Sequence, residues 1–232
     1  MMKKLLYVLV LCGVLLSLAS CSEKTPIEID EDAFLIRAKD VLSRADTLNE
    51  IFFEEKGLPL RAVGFSSGNY KEVDVNLMAA LGFQGIGDLK AENSEIFSKR
   101  ESLFNEQYVF SPETLTESGV SATRFQRYFV YNNPGNESDK NNGKLLAYTG
   151  EEEYLSDPVT LHTNSIKIVE AAKNNRTGET YVMVTVDESV TSGEKIQRQT
   201  ALTFRFVLED GKWKLDTSVS LVYNENYNEN EK

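Results

Sequence analysis

Apolar residues recur along the first third of this chain as a single stripe. Phe34, Ala38, Val41, Ala45, Leu48 and Phe52 follow one another at spacings of 4, 3, 4, 3 and 4, which is one face of an amphipathic helix. Asp30, Glu31 and Asp32 stand before it, where a helix N-terminus favours negative charge. Gly57 and Pro59 follow it and stop it. The spacing predicts a helix over residues 31–55.

The middle third has weaker periodicity. Residues 74–81 (DVNLMAAL) suit a short helix or a buried turn. Residues 88–99 place Leu89, Ile96 and Phe97 on roughly one side, which predicts a second, shorter helix. Ser111 and Pro112 read as a helix start, with serine capping and proline at the first helical position. Residues 124–131 are rich in aromatics and read as extended, and residues 132–143 (NNPGNESDKNNG) as a polar loop.

The last third changes to a period of two. Residues 145–149, 165–172, 180–187, 201–208 and 212–222 are β-branched or aromatic runs separated by turn residues. Val182, Val184 and Val186 give one of these strands a solidly apolar face, and Asp210-Gly211 predicts a hairpin. Helices first and strands afterwards predict an α+β fold, with the long N-terminal helix and the short ones packed on a curved antiparallel sheet. Residues 31–223 then form one domain, and residues 224–232 a polar tail.

The first 20 residues have a separate pattern. Lys3 and Lys4 precede an apolar run from Leu5 to Leu16, and Leu18-Ala19-Ser20-Cys21 follows it. A basic n-region, an apolar h-region and small residues before a cysteine read as a lipoprotein signal peptide cut just before Cys21. The apolar run is shorter than the roughly 20 residues that span a hydrocarbon core. The mature chain is expected to begin at Cys21, with a diacylglycerol on its sulfur, on the extracytoplasmic face of the membrane. Ser22 is not an aspartate-type retention signal, so in a cell with an outer membrane that membrane is the expected location. Residues 21–30 read as the lipidated tether, of which residues 22–29 would reach roughly 25–30 Å fully extended.

Charge narrows the partners. The chain carries 25 Lys and Arg against 36 Asp and Glu, and losing Lys3 and Lys4 takes its net charge from −11 to −13. Such a surface repels nucleic acid and anionic headgroups. Cys12 leaves with the signal and Cys21 takes the lipid, so the mature chain forms no internal disulfide and rests on its hydrophobic core.

No catalytic motif has the setting that its chemistry requires. Gly64-Phe65-Ser66-Ser67-Gly68 matches G-x-S-x-G, but no strand-to-helix pattern surrounds it, and His162 is the sole histidine. Ser192-Gly193-Glu194-Lys195 matches S-x-x-K but falls where a turn is expected. His162 alone builds no metal site. The 132–143 loop and Glu151-Glu152-Glu153-Tyr154 lack the spacing of a calcium loop and read as solvated surface. Paired carboxylates for glycoside hydrolysis meet only in three dimensions, and the sequence picks out none. No cofactor or metal is expected, and the reading is a non-catalytic binding domain.

A resemblance sharpens that reading. The helix ending in Ile51-Phe52-Phe53 and Gly57-Leu58-Pro59 leads to Asn69-Tyr70-Lys71-Glu72-Val73, and then to Gly87-Asp88-Leu89-Lys90 before Ile96-Phe97-Ser98. Gly143-Lys144-Leu145 and Asp210-Gly211-Lys212-Trp213-Lys214-Leu215-Asp216-Thr217 complete the series. This order resembles the IseA-type inhibitors of cell-wall D,L-endopeptidases, and more loosely small NTF2-like or cystatin-like lipoproteins, over residues 33–223. The resemblance implies a domain that occludes the groove of a papain-like cell-wall peptidase. Glu151, Glu152, Glu153 and Asp157, with Tyr154 as an aromatic anchor, combine exposed charge with an aromatic ring and are the expected contact. The alternative expectation is a small-ligand-binding lipoprotein that uses the concave face of the sheet.

Overall fold

The computed structural model describes residues 23–111, 114–117, 120–123, 126–150, 159–192 and 195–217. Helix α1 spans Glu31–Phe53, two residues shorter than expected. Asp30 caps it, accepting from the Ala33 N–H at 3.0 Å. The stripe from Phe34 to Phe52 is buried, together with Leu42, Ile51 and Phe53. No basic residue lies in its last turn, and the donors come from far along the chain. The Tyr128 hydroxyl donates to the Ile51 carbonyl at 2.7 Å, and the Arg127 guanidinium donates to the Glu54 carbonyl. The same hydroxyl accepts from the Leu58 N–H at 2.9 Å. Gly57, at φ +55°, makes this possible: a Cβ there would lie 2.7 Å from the Tyr128 oxygen.

The larger sheet has five antiparallel strands in the order β1-β8-β9-β10-β11. They span Lys24–Pro26 (β1), Val159–Asn174 (β8), Thr180–Ser192 (β9), Lys195–Glu209 (β10) and Lys212–Leu215 (β11). Register pairs Val182 with Phe206, Val184 with Phe204 and Val186 with Leu202. All six are buried and form one apolar face. Helix α1 covers that face, and Phe34 meets Phe206 and Trp213 edge-on at 5.5 and 5.3 Å between ring centroids. The β10–β11 turn has positive φ at both Asp210 and Gly211, the geometry that an Asp-Gly hairpin requires.

Strand β1 changes the expected tether. Lys24–Pro26 pairs antiparallel with Asn174–Ala172 at the edge of β8. Ile27 N–H donates to the Ala171 carbonyl at 3.1 Å, and Asn175 N–H to the Glu23 carbonyl at 2.9 Å. Lys24 also pairs with Glu170. The segment is therefore part of the sheet from Glu23 onward, with proline at an edge position that needs no donor.

A second antiparallel sheet has the order β2-β3-β7-β6, from Ser66–Ser67 (β2), Tyr70–Glu72 (β3), Tyr128–Val130 (β6) and Leu145–Tyr148 (β7). Thr114–Glu117 (β4) and Val120–Thr123 (β5) form a separate hairpin. The strand at 145 thus belongs to a different sheet from the later strands, and the single expected sheet is two. One contiguous hydrophobic cluster nevertheless runs from α1 to both.

Three further helices lie between: Val75–Ala80 (α2), Ile86–Ile96 (α3) and Lys99–Phe110 (α4). The start of a helix at Ser111 is wrong. Ser111 follows the end of α4 in an extended conformation, and the capping serine is Ser98, whose Oγ accepts from the Glu101 N–H at 3.3 Å. Helix α4 shows no clear apolar stripe because much of the face it buries is polar, with Glu101, Ser102 and Asn105 beside Val109 and Phe110. Asn93 of α3 donates to the Ser102 carbonyl and hydroxyl, both at 2.9 Å, and accepts from Asn105.

Candidate functional site

Residues 60–73 and 140–144, nearly 70 positions apart in sequence, meet in an open groove of about 370 Å³. Its floor is Glu72, the last residue of β3, whose side chain is 8% exposed. The carboxylate accepts from Lys144 Nζ, Arg61 Nη1 and the Phe65 N–H, each at 2.8 Å. The Lys144 bond first, and the Phe65 N–H next, hold this carboxyl down at about 2. Lys144 also lies over the Phe65 ring, which packs against Tyr131 at 4.8 Å. Arg61 and Lys144 pair with this carboxylate and Lys140 also lines the groove, so the groove carries positive charge on a strongly acidic molecule.

A larger cleft of about 520 Å³ opens between α3, α4 and the β10–β11 turn. Its polar groups largely engage one another. Glu209 accepts from the Lys99 N–H at 3.0 Å, and Lys214 donates to the Ser94 carbonyl at 2.6 Å. Ser102 Oγ is held by Asn93 and lies 3.3 Å from Ser94 Oγ. Beside the cleft, the buried Asp216 joins three elements. It accepts from Ser98 Oγ at 2.5 Å and from Arg205, and pairs with Arg100 at 3.2 Å. These bonds tie the start of α4 to β10 and the end of β11.

The motifs singled out in the sequence fall apart in space. Ser66 and Ser67 form the two-residue strand of an antiparallel hairpin, with Ser66 opposite Lys71. No strand-to-helix turn is built there. His162 lies in the other sheet, opposite Asp187. Its carbonyl accepts from Ser165 Oγ at 2.8 Å, and that oxygen accepts from the Asp187 N–H at 2.7 Å, closing a break in the β8–β9 register. Ser192 and Lys195 pair at the β9–β10 turn, and Gly193 and Glu194 lie outside the described residues. In the 132–143 loop, Asp139 accepts from Asn133 and from both nitrogens of Asn141. The loop's own amides occupy that carboxylate and hold it below the usual range, the Asn141 N–H most. Among the described residues no cluster of three His, Cys, Asp or Glu side chains is poised to hold a metal.

Cys21 and the expected contact Glu151, Glu152, Glu153, Tyr154 and Asp157 lie outside the described residues. Val159, two residues after Asp157, opens β8 at the opposite end from the β8–β9 turn. The groove around Glu72 was not legible in the sequence, because its two charged partners, Arg61 and Lys144, come from segments far apart in the chain.

No protein family, no curated protein and no solved structure matches the chain. Among the described residues no helix is long and apolar enough to cross a membrane.

Proposed function

We propose that this chain is an extracytoplasmic lipoprotein, anchored through Cys21, whose domain binds a protein partner without catalysing a reaction. The partner is a cell-wall D,L-endopeptidase that the domain inhibits, and the fold belongs with the NTF2-like or cystatin-like lipoproteins. The observation that carries this reading is the filled face of the large sheet. Phe34, Val182, Val184, Phe204 and Phe206 interlock there at 0–1% exposure, which leaves the outer surface for recognition. The polar groups of the 520 Å³ cleft are likewise engaged with one another, so a ligand there would compete with existing bonds.

The contact is the acidic segment Glu151–Asp157, with Tyr154 as its anchor. A negatively charged inhibitor gains association rate against a basic catalytic domain. The test is complex formation on a sizing column between residues 22–232 and each endopeptidase of the same organism. A stable complex is expected. Replacing Glu151, Glu152 and Glu153 by Gln is expected to weaken it at least tenfold, and unchanged binding would remove this segment from the contact.

The groove around Glu72 favours a second reading. A groove lined by Arg61, Lys140 and Lys144 against the single carboxylate of Glu72 suits a small anionic ligand. Titration with inorganic phosphate, followed through the amide shifts of Phe65 and Lys144, separates the two: saturable shifts support a ligand site, and flat shifts leave the protein partner.

A further inference from the structure

The anchor and the sheet meet within two residues. Only Ser22 separates Cys21 from Glu23, whose carbonyl accepts from the Asn175 N–H at 2.9 Å. Two residues of chain span at most about 7 Å. A lipid on Cys21 therefore lies on the order of 10 Å from the β8–β9 turn, residues 175–179. Pairing of Lys24 with Asn174, Thr25 with Lys173 and Pro26 with Ala172 fixes that geometry. The Thr25 hydroxyl adds a bond to Asn175 Oδ1 at 3.0 Å.

The chemistry of this end matches a bilayer surface. Asn174, Asn175, Arg176, Thr177 and Gly178 include no apolar side chain that would insert into the acyl region. Charges here balance, with Lys24, Lys173 and Arg176 against Glu23, Glu170 and Glu179. The mature molecule as a whole carries −13. The turn is thus a neutral end of an acidic body, and anionic headgroups repel the body more than the turn.

We infer that the β8–β9 turn is the membrane-facing end of the molecule, seated on lipid headgroups by strand β1, with no free tether between. This rests on the lipidation of Cys21 proposed above. The opposite end of β8, at Val159, then stands up to about 50 Å along the strand from the bilayer.

The experiment uses the full lipidated chain. The lipid occupies the sulfur of Cys21, and the mature chain has no other cysteine, so one added thiol takes one label. Thr177→Cys and Thr191→Cys, roughly 35 Å or more apart along β9, carry a fluorophore. The protein is reconstituted in phosphatidylcholine vesicles with a headgroup nitroxide quencher. Quenching at 177 is expected to exceed that at 191 at least threefold. Ten Gly and Ser residues inserted between Ser22 and Glu23 are expected to abolish the difference. Equal quenching of the two labels, or a difference that survives the insertion, would overturn the inference while leaving the anchor intact. Cys21→Ser is expected to lose vesicle binding. A Cys21→Ser protein that still binds vesicles, or a mature mass without diacylglycerol, would remove the anchor and the orientation together.

Discussion

Tyr128 shows how a single residue closes a helix end. Its ring is fully buried, and its hydroxyl joins the Ile51 carbonyl, the Leu58 N–H and Arg127 Nε. Tyr128→Phe keeps the ring and leaves those buried groups without their common partner. The expected loss is about 1–3 kcal/mol in urea unfolding, and a change within 0.3 kcal/mol would show that water replaces the hydroxyl. Glu54, 7% exposed at the same helix end, is a case of burial against charge. Burial, helped by the charges of Glu50 and Asp46, raises its carboxyl to about 7, against the opposing Asn49 bond and Lys56. The folded state therefore prefers Glu54 protonated. Its stabilising contribution is complete below pH 4.5 and is lost as pH rises to 7, on the order of 2–3 kcal/mol. Glu54→Gln is expected to flatten the fall in stability between pH 5 and 8. An equal slope in both proteins would show that Glu54 ionises normally in the fold.

At the scale of elements, legibility followed the character of the buried face. Helix α1 could be read from its sequence because Phe34, Ala38, Val41, Ala45, Leu48 and Phe52 present an unbroken apolar stripe to the sheet. Strands β9 and β10 could be read for the same reason, at a period of two. Helix α4 could not, because Glu101, Ser102 and Asn105 interrupt the face it buries; Asn93 holds that polar part by hydrogen bonds, while Val109 and Phe110 at the helix end join the apolar core. Strand β1 could not either. Lys24, Thr25 and Pro26 are all exposed, and only the free edge of β8 makes them a strand. Edge pairing of this kind has a measurable signature. The amides of Ile27 and Asn175 are expected to exchange at least a hundredfold more slowly than an open chain. Removing residues 1–26 should release Asn175 and expose the β8 edge to self-association. Rapid exchange at both amides in the intact protein would show that β1 is not paired.

At the scale of the molecule, one hydrophobic cluster joins α1 to two sheets, and charged residues add further links between elements. Glu72 with Arg61 and Lys144, and Asp216 with Ser98, Arg100 and Arg205, each link segments far apart in sequence. No periodicity announces such links, so the groove around Glu72 was invisible before folding, whereas the long helix and the Asp210-Gly211 hairpin were not. Along the long axis of the large sheet, β1 and the β8–β9 turn mark one end, and Val159 marks the other. In the proposed reading, that separation sets the lipidated end apart from the Val159 end of the sheet. The measurement that tests this account most directly is peptidoglycan hydrolysis by endopeptidases of the same organism, titrated with residues 22–232 so that β1 is kept. The account predicts dose-dependent loss of cleavage, complete near one inhibitor per enzyme, for at least one of them. Undiminished cleavage by every such enzyme, at a tenfold excess of the folded domain, would contradict it.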